Sequence, residues 1–302
     1  MSNDPSLVVL AAGLGSRYGR LKQIDKFGPN DETLVDYTIY DAISAGFKKI
    51  IFVIRASIEE EFKRIYLDKL SGCVQVEYIV QELDALPPGF KLPKGREKPW
   101  GTAHAVYSAR EKINEPFAIV NADDFYGRDS LQQISKHLQS IDNTQLDACL
   151  VGFILEKTLS DHGRVSRGVC EVSPENKLLG ITERTHIYKK RSGGAYYVEE
   201  KESFDLTGKE IVSMNLMGFT SKVLALIESM LIDFLRREGK EMKSEFFIPS
   251  VLNEVQLRGV SVPVLTSKAS WFGVTYQEDK SIARLRLAEL VNRNVYPQQL
   301  WR

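Results

Sequence analysis

In the first 54 residues, a segment with helical periodicity lies between two short apolar runs. Residues 7–12 form a continuous apolar run, which predicts a strand buried on both faces, as in a parallel sheet. In residues 36–45 the apolar side chains recur at helical spacing and Gly46 follows, so we expect a helix that ends there. Residues 48–54 are rich in β-branched side chains and predict a second strand. Together these patterns indicate a βαβ unit.

The alternation of strands and helices continues to the middle of the chain. Apolar patterns predict a third strand over residues 74–81, a helix over 102–113 and a fourth strand over 117–121. Residues 82–99 are rich in Pro, Gly and Lys, and they predict a loop whose length is typical of a functional flap.

Beyond residue 130 the pattern is less regular. Residues 185–201 are polar and contain Gly193-Gly194, which predicts a protruding hairpin or a mobile loop. The other predicted elements are a helix over 131–141, strands over 148–155, 168–172 and 177–182, and helices over 222–238, 246–256 and 278–292.

Polar or small residues follow two of the buried strands where those strands end. Residues 13–17 come directly after the first strand, and Asp123 and Asp124 follow the fourth. In open α/β sheets the ligand crevice lies outside the carboxyl ends of the strands. We therefore expect these two segments to face one site.

The glycine-rich segment after the first strand does not match the two most familiar phosphate-binding patterns. The dinucleotide fingerprint fails because position 18 is Tyr and the second strand ends in Arg55 rather than an acidic residue. A P-loop fails because Gly19 is followed by Arg20. Small residues beside several cations let backbone N–H groups approach phosphate oxygens, so the segment still predicts a polyphosphate-binding loop.

The composition is that of an ordinary folded protein. Hydrophobic residues make up 43% and charged residues 26% of the chain, a composition that does not support a disordered, collagen-like or coiled-coil protein. Forty basic and forty acidic side chains give a net charge of zero, so the charge signature of a general nucleic-acid binder is absent. The three cysteines form no Cys-x-x-Cys pair, and we find no targeting or membrane segment, which favours a cytoplasmic location.

The chain resembles the nucleotidyltransferases that make activated sugars. Residues 10–22 are similar to their signature loop, in which L-A-A-G-x-G-x-R leads to a lysine. Four further motifs follow in the family's order, and the five cover roughly residues 7 to 280. These four are the base and ribose turn Pro99-Trp-Gly101-Thr102-Ala-His104-Ala, the metal motif Asn121-Ala-Asp123-Asp124, the sugar motif Gly180-Ile-Thr-Glu183-Arg184 and the strand Ser213-Met-Asn215-Leu-Met-Gly218-Phe219.

This resemblance implies an α/β fold with a Rossmann-like mixed sheet of the GT-A type, flanked by helices and followed by a C-terminal helical segment. It implies a core over residues 1–240, with a nucleotide half of about 1–125 and an acceptor half of about 126–240. Residues 241–302 would form a C-terminal helical part packed on the same domain.

The resemblance also implies the reaction and the residues that carry it. A sugar-1-phosphate oxygen would attack the α-phosphorus of a nucleoside triphosphate, and pyrophosphate would leave, with Mg²⁺ as cofactor. The implied catalytic residues are Arg17, Lys22 and Asp123, with Asp123 as metal ligand and Asp124 as a second candidate ligand. The implied nucleotide-binding residues are Leu10, Ala11, Ala12, Gly13, Gly15, Ser16, Gln81, Gly101 and Thr102, and the acceptor-binding residues are Glu183, Arg184 and Asn215.

The chain departs from the family pattern at two positions. Arg184 stands where the family usually has a lysine that contacts the sugar phosphate, and Gly273 stands where it has a second metal-binding aspartate. We expect the base to be uracil or thymine, because Gln81 can both donate and accept a hydrogen bond, although a rotated amide would suit cytosine equally.

Several alternatives stay open. The chain could be a cytidylyltransferase for phosphocholine or a similar small phosphate, a GT-A glycosyltransferase, or a non-catalytic nucleotide-sugar binding protein. The expected partners are a nucleoside triphosphate and a sugar-1-phosphate or other small phosphate, without nucleic acid or membrane. The sequence does not decide the acceptor, the base or whether the protein is a homo-oligomer.

Overall fold

The computed structural model describes residues 4–13, 25–274 and 276–301, and one mixed sheet runs through the centre of this part. Four strands form its parallel half: β1 (Ser6–Leu10), β2 (Lys49–Ile54), β3 (Gln75–Val80) and β4 (Phe117–Asn121). A two-residue strand, β5 (Asp124–Phe125), follows outside this sheet. The strand order β3-β2-β1-β4 is that of a doubly wound sheet, as the apolar runs predict.

The second half of the chain adds antiparallel strands to β4. They are β6 (Ala148–Ile154), β7 (Val165–Val172), β8 (Leu178–Lys189), β9 (Ala195–Glu199), β10 (Glu202–Leu206) and β11 (Ile211–Phe219). Near the C-terminus, β12 (Val264–Thr266) pairs with β6 and β13 (Phe272–Gly273) pairs with β5. The predicted α/β class with a mixed sheet is confirmed.

Strand β11 joins the two halves. Along one side it pairs with β6, while on its other side residues 211–213 pair with β7 and residues 217–219 pair with β4. An irregularity between Ser213 and Met217 separates these two stretches. The sheet therefore divides at this point, between its parallel half and its antiparallel half.

Helices cover both faces of the sheet. They are α1 (Leu34–Ser44), α2 (Glu59–Phe62), α3 (Asp68–Leu70), α4 (Thr102–Ser108), α5 (Arg128–Ser140), α6 (Val223–Glu238), α7 (Pro249–Leu257) and α8 (Asp279–Asn292). One buried cluster contains α4, α6 and α7 side chains, and another contains α1 and α5 side chains. A third, smaller cluster lies under α8. None of the helices in the described part of the chain has the length and apolar character needed to cross a bilayer.

One predicted segment differs from the structure in its end point, and a second settles between two predicted alternatives. The helix predicted to reach residue 113 ends at Ser108 and is followed by a short 3-10 turn. For the polar segment 185–201 the hairpin alternative is confirmed, because β8 continues to Lys189 and pairs with β9.

Candidate active site

The four parallel strands end at one edge of the sheet, where backbone hydrogen bonds join the residues that follow them. The N–H of Ala11 donates to the carbonyl of Val53 at 2.8 Å, and the N–H of Ala122 donates to the carbonyl of Leu10 at 3.1 Å. The N–H of Gln81 donates to the carbonyl of Ile54 at 2.8 Å. The structure thus brings Leu10 to Gly13, Gln81 and the Asp123-Asp124 pair to one edge, where an α/β sheet binds its ligand.

The glycine-rich loop is described only at its beginning. Leu10, Ala11 and Ala12 are buried, and Gly13 is exposed. Gly15, Ser16, Arg17 and Lys22 lie outside the described residues, and their roles stay predictions.

The two neighbouring aspartates differ in their surroundings. Asp123 is partly exposed, whereas Asp124 is only 7% exposed. The Oδ2 atom of Asp124 accepts a hydrogen bond from Asn121 Nδ2 at 2.9 Å and lies 3.3 Å from the Tyr126 hydroxyl. Asp124 also pairs with Gly273 across β5 and β13. A Cβ atom at Gly273 would lie 2.4 Å from Asp124 Oδ1, so the carboxylate fills the space of a side chain at position 273.

Asn215 lies at the irregularity of β11, between the two halves of the sheet. Its backbone is left-handed, with φ of 62°, and its N–H donates to Ser213 Oγ at 3.1 Å. Its side-chain Nδ2 donates to Asn121 Oδ1 at 3.4 Å. A chain of polar contacts therefore runs from Asn215 through Asn121 to Asp124. Asn121 was predicted only as part of the metal motif and not as a site residue, although a polar residue at the end of a buried strand is a signal for one.

Gln81 is paired with a buried histidine. Gln81 Nε2 lies 2.9 Å from His104 Nδ1, and His104 Nε2 lies 3.0 Å from the carbonyl of Ala85. His104 is fully buried, and burial lowers the pKa of its imidazole to about 4. The ring is therefore neutral at physiological pH.

Gly101 and Thr102 are held by the chain segment before α7. Gly101 has φ of 105°, and a Cβ atom there would lie 2.5 Å from the carbonyl oxygen of Phe246. The Phe246 N–H donates to the Trp100 carbonyl at 2.7 Å, and the Ile248 N–H donates to Thr102 Oγ1 at 2.9 Å. Only glycine fits this close approach. The Thr102 hydroxyl thus has a structural partner within the chain.

The structure does not bring Glu183 and Arg184 to one face of the sheet, because consecutive strand residues point to opposite faces. Burial raises the pKa of the Glu183 carboxyl to about 7. The positive charge of Arg167 lowers this pKa in part, and the negative charge of Glu245 adds a smaller increase. Arg184 Nη1 lies 2.6 Å from Glu199 Oε2, and its guanidinium lies 4.4 Å from the Tyr197 ring centre. Its role in phosphate binding stays a prediction.

The fold and this edge define a nucleotide-binding α/β protein. The chain belongs to the nucleotidyl transferase family, whose model matches residues 7–247. It is 25% identical over 256 residues to the UTP–glucose-1-phosphate uridylyltransferase of Haemophilus ducreyi, covering 78% of this chain and 86% of that protein. The enzyme of the same name from Haemophilus influenzae is 24% identical over 255 residues, covering 77% and 86%.

Two solved structures share the fold. The inositol-1-phosphate CTP transferase from T. maritima superposes with a TM-score of 0.61 at 15% identity, covering 95% of this chain and 96% of that one. A Bacillus anthracis protein assigned as a glucose-1-phosphate thymidylyltransferase has a TM-score of 0.63 at 16% identity, covering 93% and 94%. The expected GT-A-like nucleotidyltransferase fold is thereby confirmed.

Proposed function

We propose that this nucleotidyltransferase condenses a nucleoside triphosphate with a sugar-1-phosphate, giving a nucleotide-sugar and pyrophosphate. The observation that carries the proposal is the polar chain from Asn215 to Asp124. These contacts link Asn215, which the resemblance implies for acceptor binding, to the metal motif that contains Asn121 and Asp124. They cross the point where the parallel and antiparallel halves of the sheet divide. Both Haemophilus relatives are UTP–glucose-1-phosphate uridylyltransferases, which supports a sugar-1-phosphate as acceptor.

The reaction needs little proton transfer. An oxygen of the acceptor phosphate forms a bond to the α-phosphorus, and the bond from that phosphorus to the α–β bridging oxygen breaks, so pyrophosphate leaves with the electron pair. Because the nucleophile is already an anion, positioning and charge stabilisation carry the catalysis. Arg17 and Lys22 would offset the triphosphate charge. Glu183 and Asn215 would contact hydroxyl groups of the acceptor.

The residues at the edge fit Mg²⁺. In the described part of the chain no group of three or more His, Cys, Asp or Glu side chains could hold a metal ion alone. Mg²⁺ is commonly bound by one or two carboxylates together with substrate phosphates, and Asp123, with Asp124 as a second candidate, would supply them. Bound there, the ion would offset charge on the phosphate oxygens. Asp123, the more exposed of the two, would be the main ligand.

The direct test is a matrix of reactions. The purified protein is incubated with Mg²⁺, each of UTP, dTTP, CTP, ATP and GTP, and each of glucose-1-phosphate, inositol-1-phosphate and phosphocholine, while pyrophosphate release is measured. The proposal predicts release that depends on both substrates and is greatest with a sugar-1-phosphate. Ser270→Ala, an exposed position, is a matched control that should keep full activity.

Other outcomes would replace the proposal. Release with phosphocholine alone would favour the small-phosphate cytidylyltransferase. Tight binding of a nucleotide-sugar without any pyrophosphate release would favour the non-catalytic binding protein. Transfer of sugar from a nucleotide-sugar to water or a polyol would favour the glycosyltransferase.

A further inference from the structure

The buried contact between Gln81 and His104 connects two residues that are 23 positions apart in the sequence. Gln81 follows β3 at the ligand edge, whereas His104 lies in α4 and is fully buried. The only hydrogen-bond partners of the imidazole among the described contacts are the Gln81 amide nitrogen and the Ala85 carbonyl oxygen. These two partners determine which ring nitrogen carries the proton.

The Ala85 carbonyl can only accept a hydrogen bond, so His104 Nε2 must carry the proton and donate. A neutral imidazole has a single N–H, and therefore Nδ1 is an acceptor. Gln81 must then donate to it through Nε2. Because the imidazole pKa is about 4, protonation does not supply a second donor near neutral pH.

This arrangement prevents the Gln81 amide from turning over. Half a rotation would place Oε1 against Nδ1, so that two acceptors would face each other at the 2.9 Å contact. Moving the ring proton to Nδ1 would repair that contact, but Nε2 would then be an acceptor facing the Ala85 carbonyl. Either change removes a buried hydrogen bond, which is unfavourable where water cannot replace it.

We propose that His104 is a positioning residue that determines the choice of base. It holds the Gln81 amide with its nitrogen towards α4 and its carbonyl oxygen on the opposite side, towards the base. An acceptor at this place matches uracil or thymine, which carry an N–H at position 3, and opposes cytosine, which has an acceptor there. The inference rests on the proposed function, because it assumes that Gln81 contacts the base.

The test compares UTP with CTP within each variant. The measured quantity is the ratio of kcat/KM for UTP to kcat/KM for CTP, so a general loss of stability or turnover cancels. His104→Phe removes the acceptor facing Gln81, and the ratio should fall about tenfold or more, the scale of one buried hydrogen bond. His104→Asn can present an amide oxygen near the Nδ1 position, and it should retain the ratio within about threefold.

A second position on α4 provides the control. Ser108 Oγ donates to the backbone carbonyl of His104 at 2.9 Å and contacts neither Gln81 nor Ala85 in the described contacts. Ser108→Ala should therefore keep the wild-type ratio. A folded His104→Phe protein with an unchanged ratio would overturn the inference, as would an equal fall in His104→Asn.

A measurement without catalysis separates this inference from the proposed function. In protein with ¹⁵N-labelled histidine, the ring nitrogen shifts of His104 should show the Nε2–H tautomer from pH 6 to 8, and the His104→Phe spectrum assigns the signals. An Nδ1–H tautomer would overturn the inference even in an active enzyme. Absence of turnover with every nucleotide would instead defeat the proposed function.

Discussion

The Asp124 carboxylate and Gly273 occupy adjoining space across the short pairing of β5 with β13. A Cβ atom at Gly273 would lie 2.4 Å from Asp124 Oδ1 and 2.8 Å from the Trp271 ring. A side chain at position 273, such as the aspartate that the family resemblance implies, therefore could not coexist with this position of Asp124. In this chain, the carboxylate of Asp124 fills the space that a side chain at position 273 would need.

Gly273→Ala should consequently displace Asp124 and lower turnover by about tenfold or more, because the carboxylate proposed as the second metal ligand would move. The backbone at Gly273 is not left-handed, so the effect comes from lost space rather than backbone strain. Turnover as a function of Mg²⁺ concentration measures the effect, and Ser270→Ala is the control on the same segment. Wild-type kinetics in a folded Gly273→Ala protein would show that the position of Asp124 does not matter.

Mg²⁺ and nucleotide should bind with positive coupling. With Asp123 and Asp124 as the protein ligands, the free protein should bind Mg²⁺ poorly, and phosphate oxygens should complete the octahedron when a triphosphate is present. Calorimetric titration of Mg²⁺, with and without a non-hydrolysable triphosphate, measures the coupling. Asp123→Asn should abolish it and lower turnover by about a hundredfold. Equally tight Mg²⁺ binding in both titrations would indicate a preformed metal site elsewhere.

Acceptor binding should improve as pH rises through neutrality. Since burial raises the pKa of Glu183 to about 7, its carboxyl is mostly protonated at pH 6 and mostly ionised at pH 8. The ionised form accepts hydrogen bonds from acceptor hydroxyls, so KM for the sugar phosphate should fall several-fold from pH 6 to 8, while KM for the nucleotide stays constant. Glu183→Gln should remove this pH dependence. An unchanged profile in that variant would assign the titration to another group.

A buried carboxylate between α1 and the C-terminal segment should make stability fall as pH rises. Asp41 contacts Arg128 Nε at 3.1 Å and the Tyr296 hydroxyl, and burial raises its pKa to about 6. The native state then binds more protons than the unfolded state between pH 4 and 6. Its contribution to the unfolding free energy, on the order of 2–3 kcal/mol, is therefore present below pH 4 and lost above pH 6.

Urea unfolding of wild type and Asp41→Asn between pH 4 and 7 tests this. Groups other than residue 41 contribute equally to both proteins, so the difference between the two unfolding free energies isolates its titration. The difference should shift in favour of the variant as pH rises. A difference that stays constant across this range would mean that Asp41 titrates normally.

The parallel half of the sheet was predictable because its strands are buried on both faces and read as continuous apolar runs, as in residues 7–12. Strand β10 was not predicted, since its residues are mostly exposed and only Phe204 and Leu206 alternate with polar side chains. A hairpin was one alternative predicted for residues 185–201, but the end of β8 at Lys189 was not predicted, because few of the polar side chains there alternate with buried ones. Pairing with β9, rather than local sequence preference, produces this hairpin.

The candidate site was predictable residue by residue but not in its contacts. Strand ends placed Gln81, Asp123 and Asp124 at one edge, since parallel strands finish together. The pairing of Asp124 with Gly273 depends on a two-residue strand formed by segments far apart in the chain, for which no local pattern exists. The same holds for the contact of Gln81 with His104, which arises only when α4 packs behind the sheet.

The measurement that most directly tests nucleotidyl transfer follows an oxygen atom. The protein is incubated with UTP, Mg²⁺ and glucose-1-phosphate carrying ¹⁸O in its non-bridging phosphate oxygens, and the product is analysed by ³¹P NMR. Attack by the acceptor phosphate on the α-phosphorus predicts a nucleotide-sugar with ¹⁸O in the bridge between its two phosphorus atoms, together with unlabelled pyrophosphate. Label in the pyrophosphate, or a nucleotide-sugar with an unlabelled bridge, would contradict the account.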